Sequence, residues 1–255
     1  MKVRYEHQDY LEYYKTDHNK YAKASGILQI TQKAGNSQME RDRPTYDEIT
    51  AQGKAFMLSR LDFEVYEPIV ADEMYTVSSW ACEGSRATFP RNYSIEKDGK
   101  TLVMVSSYWV LVDIESRKLL KVDDVNIDNY YIGEFVELYK DKLKVPRDLE
   151  LEEVGKKEIM YCDIDTNGHM NNTYYMDVIS NYIPELPAGT HRIKSVRLHY
   201  SKEAPFGDTI TIFRAKTEEG KYLFKTASIV YLSSKSSGIR PAGKALRDIY
   251  MAFRV

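Results

Sequence analysis

Two stretches decide the fold: Arg60 to Met74, RLDFEVYEPIVADEM, and Val196 to Ile210, VRLHYSKEAPFGDTI. Each reads as a strand, a break carrying Glu and Pro, an Asp, and the start of a further strand. Set 136 positions apart, Ser59 meets Ser195, Glu67 meets Glu203 and Asp72 meets Asp208. These identities are few, but the elements flanking the two stretches come in the same order, and together they predict an internal duplication.

Ahead of the first stretch lie an extended segment from Val3 to Tyr10 and a helix opening at Ser25 or Gly26 and running towards Met39, with Ile27, Ile30 and Ala34 on its apolar face. Thr31, Gly35 and Asn36 specify that helix only weakly. The polar stretch around Asp42 to Thr50 is followed by strands at Phe56–Tyr66, Met74–Cys82, Arg86–Glu96 and Leu102–Asp113, with a hairpin turn at Lys97-Asp98-Gly99-Lys100. Lys121 to Gly155, charged and carrying Pro146, reads as a connection crossing the surface, with a short helix expected over Phe135–Leu143. The outline then repeats. A strand spans Lys156–Tyr161, and a helix capped by Asn171 or Asn172 runs to about Tyr182, stopped by Pro184, Pro187 and Gly189. Further strands are expected at His191–Lys202, Thr209–Lys216, Tyr222–Leu232 and Ala245–Phe253, with a turn at Glu219-Gly220. A sheet that must cover one face does so against a helix, and two such units can join edges.

Composition narrows the class. Of 255 residues, 43% are hydrophobic and 29% charged, enough for sizeable cores, and 36 Lys and Arg stand against 38 Asp and Glu. The near balance gives no reason to expect a nucleic-acid partner. Cys82 and Cys162 have no metal-ligand spacing, Met1 to Tyr14 is polar throughout, and no apolar run approaches a membrane span. A cytoplasmic setting is therefore expected. The 21 Tyr and 9 Met suit sheet packing and core filling more readily than a special cleft.

The densest chemistry lies at Asp163-Ile164-Asp165-Thr166-Asn167-Gly168-His169-Met170-Asn171-Asn172, between a strand and a helix. Such polar groups are costly to bury unless partnered, and a bend feeding a helix start offers backbone N–H groups to a developing oxyanion. His169 suits proton transfer near neutral pH, and Asn167 can orient water or donate to a carbonyl oxygen. Glu203, just before Ala204-Pro205, can be aimed into a cleft by that break or sit as a solvated strand end beside Lys202. Spacing alone leaves open whether Asp165, Asn167 and His169 form a structural network or a reacting one. An Asx turn is favoured for Asp163. A calcium loop is weakened by Tyr174 at the position of the bidentate Glu, even though Gly168 stands sixth. No Gly-x-Ser-x-Gly elbow and no Gly-rich phosphate loop is present, and the residues call for no cofactor and no metal.

The chain resembles the acyl-ACP thioesterases, the fatty-acid-releasing enzymes of plant plastids and their bacterial relatives. The resemblance runs through Phe56 to Arg60, Asp72 to Trp80, Arg91-Asn92-Tyr93, Ser106 to Val110 and Ser116 to Leu119, and is sharpest at Asp165-Thr166-Asn167-Gly168-His169-Met170-Asn171-Asn172. It implies an α+β tandem double hotdog, each unit a helix wrapped by an antiparallel sheet. The expected division is 1–121 for acyl-chain binding, 122–155 as linker, and 156–255 carrying the catalytic residues Asp165, Asn167, His169 and Glu203. The first unit has no second Asp-x-Asn-x-His loop, consistent with binding rather than reaction. Ala204 stands where the family has Cys, so a thiol nucleophile at that point is ruled out. The implied reaction is direct hydrolysis: Glu203, coupled to His169, positions and deprotonates water, Asn167 and helix-start N–H groups hold the oxyanion, and Asp165 orients its neighbours. The implied partner is an acyl carrier protein bearing a phosphopantetheine-linked acyl chain, with no nucleic acid and no membrane span; a homodimer is also allowed. Ile27, Ile30 and Met57 are candidates to line the acyl site or to be ordinary core, and Arg192, Lys194, Arg197 and Lys202 could form a basic docking patch or be solvated strand charges. Acyl-CoA hydrolysis at the same site, acyl binding without catalysis, and a dehydratase are the competing expectations.

Overall fold

The computed structural model describes residues 2–146, 149–201, 203–217, 220–229 and 246–255. The expected turn residue Glu219, the far end of the strand at Leu232, the start of the next at Ala245, and Lys202 lie outside the described residues. Strands β1 (Tyr5–Tyr10), β2 (Lys54–Val65), β3 (Met74–Cys82), β4 (Thr88–Lys97), β5 (Lys100–Asp113) and β6 (Ile132–Gly133) belong to the first half. The second half holds β7 (Glu152–Glu158), β8 (Ser195–Tyr200), β9 (Thr209–Lys216), β10 (Tyr222–Ile229) and β11 (Leu246–Arg254). Three α-helices, α1 (Ala24–Asp42), α2 (Tyr46–Thr50) and α3 (Tyr174–Ser180), and three short 3-10 turns complete the described elements.

All the described strands form one sheet in the order β1-β3-β4-β5-β2-β8-β11-β10-β9-β7, with β6 beside β3. Read inward from its two edges the order is the same: β1 answers β7, β3 answers β9, β4 answers β10, β5 answers β11, and β2 answers β8. At the seam β2 runs antiparallel to β8, with Leu61 opposite Leu198 and Asp62 opposite Arg197. Shifted back by 136 positions, Arg197 and Leu198 fall on Leu61 and Asp62, so a local two-fold axis passes between these rungs. The pairing obeys the spacing read from the sequence, and the α+β double hotdog expectation holds.

Local chemistry explains most boundaries. The β4–β5 hairpin turns at Asp98 and Gly99, both in the left-handed region with φ of 51° and 77°, the geometry that matches strand twist across two residues. Helix α1 is longer than its propensities suggest because its poor helix formers are used for close packing. A Cβ on Gly35 would come within 3.0 Å of the Tyr93 hydroxyl, and Thr31 returns its hydroxyl to the Ile27 and Leu28 carbonyls at 3.0 Å. Helix α2 was not expected; Thr45 and Glu48 form a reciprocal capping box at its start. Helix α3 is shorter than expected, and its N-cap is Thr173 rather than an Asn. Strand β7 begins inside the segment read as connection and covers the last edge.

One apolar interior serves both halves. Ile27, Ile30 and Ala34 of α1 and Met176 and Ile179 of α3 pack with Leu61, Phe63, Val196 and Leu198 of the seam strands. The opposite face of the seam is covered by the connection. Instead of the helix expected over Phe135–Leu143, this segment is extended, because its backbone is claimed by the sheet beneath it. Trp80 Nε1 donates to the Glu134 carbonyl at 3.0 Å, the Asn92 amide bonds the Val136 N–H and C=O at 2.9 Å, Tyr139 donates to Glu64 at 2.6 Å, and Arg60 and Arg197 donate to the Tyr139 and Asp141 carbonyls. Under this strap Asp62 is buried between Arg60 Nε at 2.7 Å and Arg197 Nε at 3.2 Å. Burial holds the Asp62 carboxyl above its ordinary range, and the two guanidiniums offset part of that rise, the pairing that a buried carboxylate requires.

Candidate active site

The ten-residue motif is held by its own backbone. A short 3-10 turn at Tyr161–Asp163 leads into it. Asp163 Oδ2 accepts from the Met160 N–H at 2.8 Å and pairs with Lys157 at 2.6 Å, so that oxygen is engaged outside the bend. Asp165 N donates to the His169 carbonyl at 3.0 Å, and Gly168 N to the Asp165 carbonyl at 2.9 Å, with Gly168 at φ 75°. Beyond the bend, Met170 N donates to the Ala204 carbonyl at 2.8 Å and His169 bridges to Pro205. This rung sets the loop against the segment that carries Glu203.

The consequence is a side-chain pair. His169 Nε2 lies 2.9 Å from Glu203 Oε2, with the two side chains 22% and 25% exposed. Arg117, from the turn after β5 in the first half, reaches the same oxygen. Burial raises the Glu203 carboxyl, but the His169 hydrogen bond and the His169 and Arg117 charges outweigh it, and the carboxyl sits below its ordinary range. Asn167 is met from across the seam as well: the Tyr46 hydroxyl of α2 donates to its Oδ1 at 2.7 Å, which turns the amide N–H groups away from Tyr46. Sequence reasoning missed Tyr46 and Arg117, which lie 121 and 86 positions from their partners. The Thr-x-x-Glu signature at Thr45 marks the helix that carries Tyr46, whereas Arg117 falls in the stretch Ser116 to Leu119 with nothing local to tie it to Glu203.

Other expected groups are placed differently. Asp165 does not reach His169; its Oδ1 accepts from the Asn167 N–H at 2.9 Å, closing the bend. The N–H groups at the start of α3 are largely spent: Thr173 N goes to Asn171 Oδ1 at 2.9 Å, Tyr174 N to the Asn171 carbonyl at 3.0 Å, and Asn171 N to the Asp163 carbonyl at 2.9 Å. Asn171 is thus a loop clamp. Ile27 and Ile30 are 2% exposed and belong to the core, and Arg197 is committed to Asp62 and the strap. A cleft of about 680 Å3 runs between α1 and α3 and meets the motif at Asn171, next to Thr173, with Gln29, Gln32, Lys33 and Asn36 giving it a polar wall.

The first half lacks the Asp-x-Asn-x-His sequence but not the loop. At Asp17-His18-Asn19-Lys20-Tyr21, Asp17 N donates to the Tyr21 carbonyl at 2.8 Å, Lys20 N to the Asp17 carbonyl at 3.0 Å, and Asn19 N to Asp17 Oδ1 at 2.8 Å. Lys20 takes the left-handed φ, 66°, that Gly168 takes in the second half. Ala22 N donates to the Ile69 carbonyl at 2.9 Å, as Met170 N does to Ala204, and Tyr21 bridges to Val70 as His169 does to Pro205. Tyr21 is therefore the counterpart of His169, and Pro68 that of Glu203. The expected match of Glu67 with Glu203 is displaced by one residue beyond the strand, and Glu67 instead pairs with Lys100.

Comparison with known proteins accords with this arrangement. The acyl-ACP thioesterase N-terminal domain family matches residues 2–130 and the acyl-ACP thioesterase C-terminal domain family matches residues 148–238. Oleoyl-acyl carrier protein thioesterase 1, chloroplastic, of Arabidopsis thaliana is 22% identical over 227 residues, 81% of this chain and 62% of its own length. Its counterpart thioesterase 2, chloroplastic, is 25% identical over 171 residues, 61% of this chain and 46% of its own length. The chain thus spans roughly half to three fifths of the curated relatives it matches. Among solved structures, an acyl-ACP thioesterase from Bacteroides thetaiotaomicron superposes with a TM-score of 0.81 at 21% identity, and the 12:0-ACP thioesterase of Umbellularia californica with 0.83 at 15%, each over 98% of this chain and 97% of the other. These likenesses show the fold. The cytoplasmic setting expected from composition is corrected here, since the curated relatives are chloroplastic proteins; a balanced charge and two separated cysteines suit any reducing aqueous compartment and cannot single out the cytosol. With both of its halves matched in order, the chain belongs to the acyl-ACP thioesterase family.

Proposed function

We propose that this chain hydrolyses the thioester of a fatty acyl-acyl carrier protein to a free fatty acid and the carrier's pantetheine thiol. The reading assigns acyl-chain binding to residues 1–121, the connection to 122–155 and the reaction to 156–255. The observation that carries it is the 2.9 Å contact between His169 and Glu203, which joins the polar bend to the adjacent strand segment.

A carboxylate held below its ordinary range is a weak proton acceptor, whereas an imidazole is suited to exchange protons near neutral pH. His169 accordingly takes the proton of a water as its oxygen attacks the acyl carbon, and Glu203 orients the ring and stabilises the imidazolium. The Asn167 amide, fixed by Tyr46, donates to the tetrahedral oxyanion, and Asp165 keeps the bend closed. When the oxyanion collapses the C–S bond breaks, and the imidazolium returns its proton to the departing thiolate. Ala204 is buried beside Glu203, and the scheme needs no sulfur nucleophile.

The test is steady-state hydrolysis of matched acyl-carrier and acyl-CoA substrates by the unaltered chain, His169→Ala and Glu203→Gln. Each substitution is expected to lower kcat by about a hundredfold to ten-thousandfold with KM little changed. Full turnover in either variant defeats the assignment, and preference for the CoA substrate replaces the carrier protein in it. Binding of acyl chains with no turnover of either substrate would leave a binding protein. Sedimentation of the same samples reads whether two copies associate.

A further inference from the structure

The two-fold axis at the seam gives the reacting bend a mate on the other side of the sheet, and the mate has its own cleft. Between the end of β2, the residues leading into β8 and the end of β11 lies a cleft of about 300 Å3, lined by Val65, Pro68 and Ile193 together with Arg192, Lys194 and Arg254. Pro68 is the counterpart of Glu203, and the Arg192 guanidinium lies 5.4 Å above the ring of Tyr21, the counterpart of His169. The backbone is fixed by a row of bonds across three strands: Val65 N to the Lys194 carbonyl and Lys194 N to the Arg254 carbonyl, both at 2.8 Å.

The two places differ in chemistry. At the reacting bend the imidazole is matched by a carboxylate and the nearby Arg117 is paired. In the mate neither an imidazole nor a carboxylate occupies the corresponding position. Among the described residues, no ion pair joins Arg192, Lys194 or Arg254 to an acidic group, whereas Arg60, Arg197 and Arg214 all have one. All three residues line the one cleft, and a cleft bordered by cations attracts an anion. Three of them exceed what one carboxylate would balance, and two guanidiniums suit the several oxygens of a phosphate.

The geometry points to this mate of the active site as a binding site for a phosphate ester on an apolar stem, held by Arg192, Lys194 and Arg254 and flanked by Val65, Pro68 and Ile193. The ligand is bound and not turned over, because Tyr21 and Pro68 stand where the reaction needs His169 and Glu203. The site does not depend on the hydrolysis proposed above.

Isothermal titration of the full chain with inorganic phosphate and, separately, with coenzyme A tests it. Saturable binding of coenzyme A is expected, weakened at least tenfold in Arg192→Ala/Arg254→Ala and retained in Arg192→Lys/Arg254→Lys. Phosphate binding that follows the same pattern identifies a bare phosphate as sufficient; coenzyme A binding without phosphate binding assigns part of the recognition to the stem. No binding of either probe, or equal binding in the alanine double variant, overturns the proposal; the second result would place the ligand away from these cations.

Discussion

Removing one oxygen from Tyr46 isolates what the first half contributes to the chemistry of the second. The Tyr46 hydroxyl donates to Asn167 Oδ1 at 2.7 Å in a solvent-exposed hydrogen bond. Tyr46→Phe therefore leaves no buried polar group without a partner, and its cost is the net value of one hydrogen bond, about 0.5–1.5 kcal/mol. If the whole of that value serves to hold the Asn167 amide towards the oxyanion, kcat falls roughly threefold to tenfold, since about 1.4 kcal/mol is a factor of ten. KM and the unfolding midpoint should scarcely move. Asn167→Ala deletes the donor itself and should cost about a hundredfold to a thousandfold. The decisive measurement is the double variant. With the amide gone, the hydroxyl has nothing left to orient, so Tyr46→Phe should cost nothing further in the Asn167→Ala background. An equal cost in both backgrounds, or none in the unaltered chain, refutes the view that Tyr46 acts through Asn167.

Three other outcomes follow from the structure. Arg117→Ala removes one of the charges that hold the Glu203 carboxyl below its ordinary range, so that carboxyl should rise and the acid limb of the pH–rate profile should move to higher pH; an unmoved limb would show that His169 alone sets it. Gly26→Ala places a Cβ 2.6 Å from the Lys15 carbonyl oxygen, a backbone atom that cannot swing aside, and is expected to lower stability by about 1–3 kcal/mol in urea titration despite the better helix propensity of Ala. Glu185 accepts from Lys216 at 2.6 Å and Tyr222 at 2.7 Å, and its carboxyl is lowered to about 2 from an ordinary 4.5. Its stabilisation is complete above pH 4.5 and is lost as pH falls towards 2, so Glu185→Gln should flatten the acid end of the stability curve. An identical acid limb in that variant would show that the carboxylate contributes nothing there.

Much of the fold was written in local pattern. The Asp98-Gly99 hairpin, the alternating strands and the 136-residue spacing each depend on nearby residues, and each is where the sequence places it. What failed to show locally was decided at a distance. Phe135–Leu143 has helix-forming residues, yet Asn92, Arg60 and Arg197 take its backbone groups and draw it out into a strap. The Asp165-x-Asn167-x-His169 spacing and Glu203 were legible as candidates, and the backbone rung from Met170 to Ala204 brings His169 and Glu203 together. Tyr46 and Arg117 were not legible as site residues, because they enter from the other half. The first-half copy of the bend was hidden for a different reason: its hydrogen bonds are made by backbone and Asp17, so Tyr21 could replace the imidazole without disturbing the shape that a motif search looks for.

The meeting of β2 and β8 constrains how the halves can be separated. Five residue pairs and a shared apolar interior cross that line, so neither half owns a finished surface there. Cut apart, each would bare a strand edge whose natural complement is an antiparallel copy of itself. The pieces would thus tend to find a second molecule of their own kind and rebuild the missing side from it. Fusion into one chain guarantees two unlike neighbours at that edge, which frees one bend to lose its reactive groups while the other keeps them.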